Sequence, residues 1–103
     1  CGRMATGAKS RDPLSDLTPE YLRDLWAAQA GMCHYTGTPM SLVSGVDGKN
    51  WNVVSVDKKD PQLGYRRGNV VLCSALANVS KSFRTEKEFV DFCRQVVAHW
   101  EER

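Results

Sequence analysis

Asp57 ends an apolar run, Trp51 to Val56, and is followed at once by Lys58, Lys59 and Asp60. Beyond it come Gly64-Tyr65-Arg66-Arg67-Gly68-Asn69, a second apolar run to Cys73, and then Asn78-Val79-Ser80-Lys81. If Trp51–Val56 is a strand with Val54 and Val56 toward the core, alternation sends Asp57 to the opposite side, where the next helix must pack. Asn78 falls four residues after Ser74, inside that helix, although asparagine is a poor helix-interior residue and prefers caps. A carboxylate and an amide carbonyl on facing elements can hold one hard divalent cation and leave positions open for water and a phosphate oxygen. The competing reading is structural, with Asp57 capping the following loop and Asn78 the helix end.

The charge distribution points the same way. Over the whole chain of 103 residues the formal net charge is only +2. Between Asp57 and Lys87, however, Lys58, Lys59, Arg66, Arg67, Lys81, Arg84 and Lys87 outweigh Asp57, Asp60 and Glu86. A local excess of cations beside the candidate ligands is what a phosphate-facing surface requires.

The elements that must position these residues can be read from caps and periodicity. Thr18 suits an N-cap, Pro19 the first helical position and Glu20 the positive end of the dipole. Leu17 and Leu22 sit as a hydrophobic staple; Tyr21, Leu22, Leu25 and Trp26 form one stripe, and Gly31 ends the helix. Tyr35-Thr36-Gly37-Thr38-Pro39 reads as a turn, and Gly45, Asp47, Gly48 and Asn50 as a loop. Trp51–Val56 and Asn69–Leu72 are the predicted strands. Ser74 caps a short helix to about Lys81. Thr85 and Glu88 form a capping box for a last helix whose Phe89, Phe92, Cys93, Val96, Val97 and Trp100 read as core scaffold. Residues 1–16 are expected to be a flexible arm and 17–103 one domain, its chemical core at about 51–81.

An apolar fraction of 42% and a charged fraction of 25% are those of an ordinary globular protein. No membrane-spanning run or secretory leader is expected. Cys33, Cys73 and Cys93 lie in apolar surroundings and read as free buried thiols, hence a reducing, cytoplasmic setting.

Ser55-Val56-Asp57-Lys58-Lys59-Asp60, Gly64-Tyr65, Gly68-Asn69-Val70 and Asn78-x-x-Lys81, with the Cys33-His34-Tyr35-Thr36-Gly37-Thr38-Pro39 turn before them, resemble the HNH endonucleases of the phage and bacterial type. These are also called ββα-metal or His-Me finger nucleases. The likeness covers most of the chain beyond residue 17. It implies an α+β fold with a small ββα-metal core, an N-terminal helix and a C-terminal packing helix. It also implies a metal-dependent endonuclease hydrolysing DNA phosphodiesters in a bacterial or phage-infected cell. By the resemblance, Asp57 and Asn78 would hold one Mg²⁺ or Mn²⁺. Asn69 would clamp the loop, and Arg66, Arg67, Lys81 and Lys59 would meet DNA phosphates. Structural zinc is not supported, since Cys33 and Cys73 face Thr36 and Leu76 where a knuckle needs cysteine.

One position departs from that pattern. Most relatives have histidine directly after the metal-binding aspartate, as general base; this chain has Lys58. An unperturbed lysine, with a pKa near ~10.4, is protonated at neutral pH and cannot take a proton from water. Lys58 would then stabilise charge on the phosphate. The base must come from His34, a residue type suited to the task, or from Tyr35, which would need a lowered pKa or help from the metal. Lys58 and the missing histidine also keep open a second class of function: a catalytically inactive module on the same fold that binds nucleic acid or protein.

Overall fold

A computed structural model describes residues 16–43 and 51–102. The expected arm up to residue 15 and the loop glycines at 45 and 48 lie outside the described residues. The fold is a small mixed α/β domain: helix α1 (Pro19–Ala28), strand β1 (Val54–Lys58), a 3₁₀ turn (Pro61–Leu63), strand β2 (Val70–Ser74), helix α2 (Ala75–Lys81) and helix α3 (Glu86–Glu101). Among the described residues no helix is long and apolar enough to cross a membrane.

Helix starts follow the local chemistry. Thr18 Oγ1 accepts the Tyr21 N–H at 3.1 Å, and Ser74 Oγ accepts that of Ala77 at 3.1 Å. At α3 both halves of the capping box form: Thr85 Oγ1 accepts from Glu88 N, and Glu88 Oε1 accepts from Thr85 N. Helix α1 stops at Ala28, three residues before Gly31, because Ala30 and Gly31 both turn to positive φ. Gly31 has a steric role as well, since a Cβ there would stand 3.0 Å from the Trp26 ring.

The strands lie further along the chain than their composition suggests. β1 begins at Val54 and runs through Asp57 to Lys58, leaving Trp51 exposed in a turn. It pairs antiparallel with β2, placing Val54 opposite Ser74, Val56 opposite Leu72 and Asp57 opposite Val71. The Trp51 carbonyl instead accepts from Leu76 N and the Val53 carbonyl from Ala75 N, so the residues before β1 satisfy the open amides of α2. Val54, Val56, Val70 and Leu72 join Leu17, Leu22 and Met40 in the core. Gln29, at the end of α1, completes the sheet edge: its amide donates to the Leu72 carbonyl and accepts the Leu72 N–H, at 2.8 and 3.0 Å.

The last helix is not the core scaffold that its periodicity suggests. Phe89 is buried, but Phe92, Val96, Val97 and Trp100 are exposed. A helix of 16 residues, about 24 Å long, outruns the two short strands beside it, so only its first turns find core to pack against. Cys93 is accordingly half-buried, whereas Cys33 and Cys73 are buried free thiols.

Candidate functional site

Alternation along β1 puts Ser55 and Asp57 on one face, and the three-residue step along α2 puts Asn78 and Lys81 on the face opposing it. The pairs meet directly. Asn78 Nδ2 donates to Ser55 Oγ at 2.7 Å. Lys81 Nζ lies 3.3 and 3.2 Å from the two Asp57 carboxylate oxygens and donates to the Lys58 carbonyl at 2.8 Å. The Tyr35 hydroxyl donates to Asp57 Oδ2 at 2.6 Å. The side chains of Asp57 and Lys81 are 5% and 0% exposed, so this is a dry, closed ion pair.

Two expectations are corrected by this packing. Lys81 cannot lie along a DNA backbone, because its ammonium is buried against Asp57. Tyr35 is no general base: burial first, then the hydrogen bond to Asp57, then the charges of Asp57 and Glu86 push its phenol far above the ordinary range. The expected metal is a separate matter. Both Asp57 oxygens already have partners, Asn78 is oriented by its Nδ2 bond to Ser55 with Oδ1 outside that bond, and among the described residues no three His, Cys, Asp or Glu side chains come together as a metal-binding group. Bringing a divalent ion to Asp57 would set it against a buried ammonium, so these residues as placed do not fit a metal ion.

Asn69 ties the basic loop. Its Nδ2 donates to the Asp60 and Gly64 carbonyls at 3.0 and 2.7 Å, and its Oδ1 accepts the Asp60 N–H at 3.1 Å. Lys58, the last residue of β1, sets its Nζ 4.8 Å over the ring of Tyr65 in that loop, and Lys59 follows it. Arg67, expected at a phosphate, is instead engaged within the chain: its backbone and Nε donate to Asp16, and its guanidinium lies 5.5 Å over the Tyr21 ring. Gly68 supports this turn with φ near 84° and donates its N–H to the Tyr21 hydroxyl. Arg66 differs from its neighbour, since its Nη1 is buried with no hydrogen-bond partner among the described residues.

His34 has a partner that sequence reasoning missed. Its Nε2 lies 2.7 Å from Glu86 Oε2, with both side chains about one-third exposed. The two residues are 52 positions apart, and the only signal for Glu86 was an acid in the first turn of a capped helix. The Glu86 N–H donates to the Lys59 carbonyl at 3.2 Å, which places the His34–Glu86 pair beside the cationic end of β1. An ionised carboxylate only accepts, so Nε2 is the nitrogen that carries a proton toward Glu86, and Nδ1 is the ring nitrogen left for other chemistry. An apolar groove of about 420 Å³ lies between the turn that follows His34 and α3, lined by Tyr35, Thr36, Phe89, Val90, Cys93 and Val97 among others.

Comparison with protein families finds none that this chain matches, and comparison with curated proteins likewise finds none.

Proposed function

We propose that this domain is a phosphodiester hydrolase acting on DNA, an endonuclease built on a ββα core, with His34 as its general base. The observation that carries this reading is the 2.7 Å His34–Glu86 pair, held at the surface beside Lys59. In it Glu86 orients the imidazole, and Nδ1 accepts a proton from water as the water attacks phosphorus. The P–O3′ bond then breaks, and solvent returns a proton to O3′. Lys58 and Lys59 supply positive charge where the phosphate gains negative charge. Arg66, on the loop that follows, adds a further cation whose guanidinium is of the kind that pairs with phosphate oxygens.

A second reading is favoured by one specific observation, the closure of Asp57 by Lys81 and Tyr35. On that reading the polar face between β1 and α2 is purely architectural, and the loop binds nucleic acid without cutting it.

Nicking of supercoiled plasmid, followed alongside DNA binding by fluorescence anisotropy, separates the two. Hydrolysis that falls about 10²–10⁴-fold in His34→Ala, with DNA affinity retained, is the expected result for a lost general base. Glu86→Gln is expected to lower the rate less, since it keeps a hydrogen-bond acceptor for Nε2. Tight, salt-sensitive binding with no cleavage under Mg²⁺, Mn²⁺ or EDTA would establish the silent module instead. Cleavage indifferent to His34→Ala would remove His34 from the chemistry.

A further inference from the structure

We infer that the Lys81 ammonium is the resident cation of this site, occupying the position beside Asp57 where the HNH likeness would place a divalent metal, so that the domain binds no such ion there. The inference rests on reading β1, β2 and α2 as a nuclease-like core. It does not depend on whether hydrolysis occurs, because it concerns which cation the site holds.

The oxygen atoms around Nζ make the argument. Two carboxylate oxygens at 3.3 and 3.2 Å and the Lys58 carbonyl at 2.8 Å surround it. A carboxylate with a backbone carbonyl is also the kind of donor set that hard metal ions take from proteins. Here an ammonium, with three protons to donate, takes that set. Charge balance supports the same assignment. One carboxylate and one ammonium neutralise each other in a site where neither is more than 5% exposed. Adding a divalent ion would leave two uncompensated positive charges out of water, a state that a buried site strongly disfavours. The lysine is also locked from two directions. Asn78, one turn earlier on α2, is hydrogen-bonded to Ser55, and Ser55 precedes Asp57 by one alternation on β1. The Tyr35 hydroxyl holds the other side of the carboxylate. Exchange of ammonium for metal would therefore require α2 to move from β1.

The test uses the full chain and the metal alone. Mn²⁺ is titrated while bound ion is read by electron paramagnetic resonance and stability by thermal melting. Wild type is expected to bind no Mn²⁺ at Asp57 and to keep the same Tm in EDTA, Mg²⁺ or Mn²⁺. Lys81→Ala vacates the cation position; it is expected to melt lower and to regain roughly 5 °C with saturating Mn²⁺, a gain lost when Asp57→Asn is added. Saturable Mn²⁺ binding to the wild type that Asp57→Asn abolishes would overturn the inference. So would a folded Lys81→Ala protein that ignores Mn²⁺. If Lys81→Ala does not fold, the wild-type resonance measurement decides alone. Neither measurement involves plasmid nicking, so a failure of the proposed hydrolysis and a failure of this inference remain distinguishable.

Discussion

Two polar regions of this domain are built to opposite rules. Between β1 and α2, Ser55, Asp57, Asn78 and Lys81 meet one another directly, and Asp57 and Lys81 are almost wholly removed from water. At the rim, His34 and Glu86 form an equally short contact but keep about one-third of their surface in solvent. Tyr35 connects the two, with its hydroxyl on Asp57 and its ring 4.9 Å from that of His34. A buried pair must be complete to be tolerated, so it has no capacity left for a ligand. An exposed pair can hold a proton acceptor in place and still meet a substrate. The residue types that looked most chemical in the sequence are therefore the ones the fold has consumed, and the chemistry we assign moves to the rim.

Breaking the buried region should have the largest effect. Lys81→Met leaves the Asp57 carboxylate buried without its countercharge and is expected to cost about 3–5 kcal/mol in urea denaturation. Adding Asp57→Asn should recover part of that loss, because the unpaired charge is then gone. A single variant no worse than a surface substitution would show that the pair is not closed in solution. Tyr35→Phe removes a hydrogen bond to a charged group and should cost about 1.5–3 kcal/mol.

The same tyrosine gives a pH test. The folded state holds the Tyr35 phenol above its unfolded value, so its stabilising contribution is complete below about pH 10, where the unfolded tyrosine titrates, and is lost as pH rises beyond that. Tyr35→Phe should flatten the fall in stability between neutral pH and pH about 11; an unchanged slope would contradict the assigned burial. Asn69→Ala comes next. It is expected to cost roughly 1–3 kcal/mol by leaving loop groups unpaired, and hydrogen exchange at the Asp60 amide, which Asn69 Oδ1 holds, should speed up. At the bottom of the scale, His34→Ala should change stability by less than about 0.5 kcal/mol, as expected of an exposed position. A larger loss would mean that the rim is architecture too.

The sequence exposed the helix starts because a cap is a local event. Thr18, Ser74 and the Thr85–Glu88 box each act within three residues of themselves. The opposing placement of Asp57 and Asn78 on facing elements was also legible, from alternation and one helical turn. What escaped was everything set by long-range packing. Lysine is by type an exposed residue, and nothing next to Lys81 announces that a carboxylate 24 positions away will draw it inside. Glu86 entered the sequence reading only as one more acid in the charge balance, since its partner lies on a turn that only the folded chain brings close. The apolar stripe of α3 has the period of a buried helix, but period reports which face is apolar and not whether the rest of the molecule is long enough to cover it.

The end of α2 bears on all of this. Lys81 is the last residue of that helix, and Ser82 after it has φ 55° and ψ −128°, a conformation that L-residues rarely hold. Backbone strain is thus stored one peptide bond from the buried ammonium, and the ion pair is positioned to sustain it. Glycine at position 82 would release that strain without touching the pair. Ser82→Gly is therefore expected to stabilise the domain by about 1 kcal/mol, less whatever entropy the freer chain gains on unfolding. In Lys81→Met the gain should differ, since the helix end is no longer pinned. The non-additivity of the two substitutions would measure how firmly the core charge holds the chain reversal that follows it.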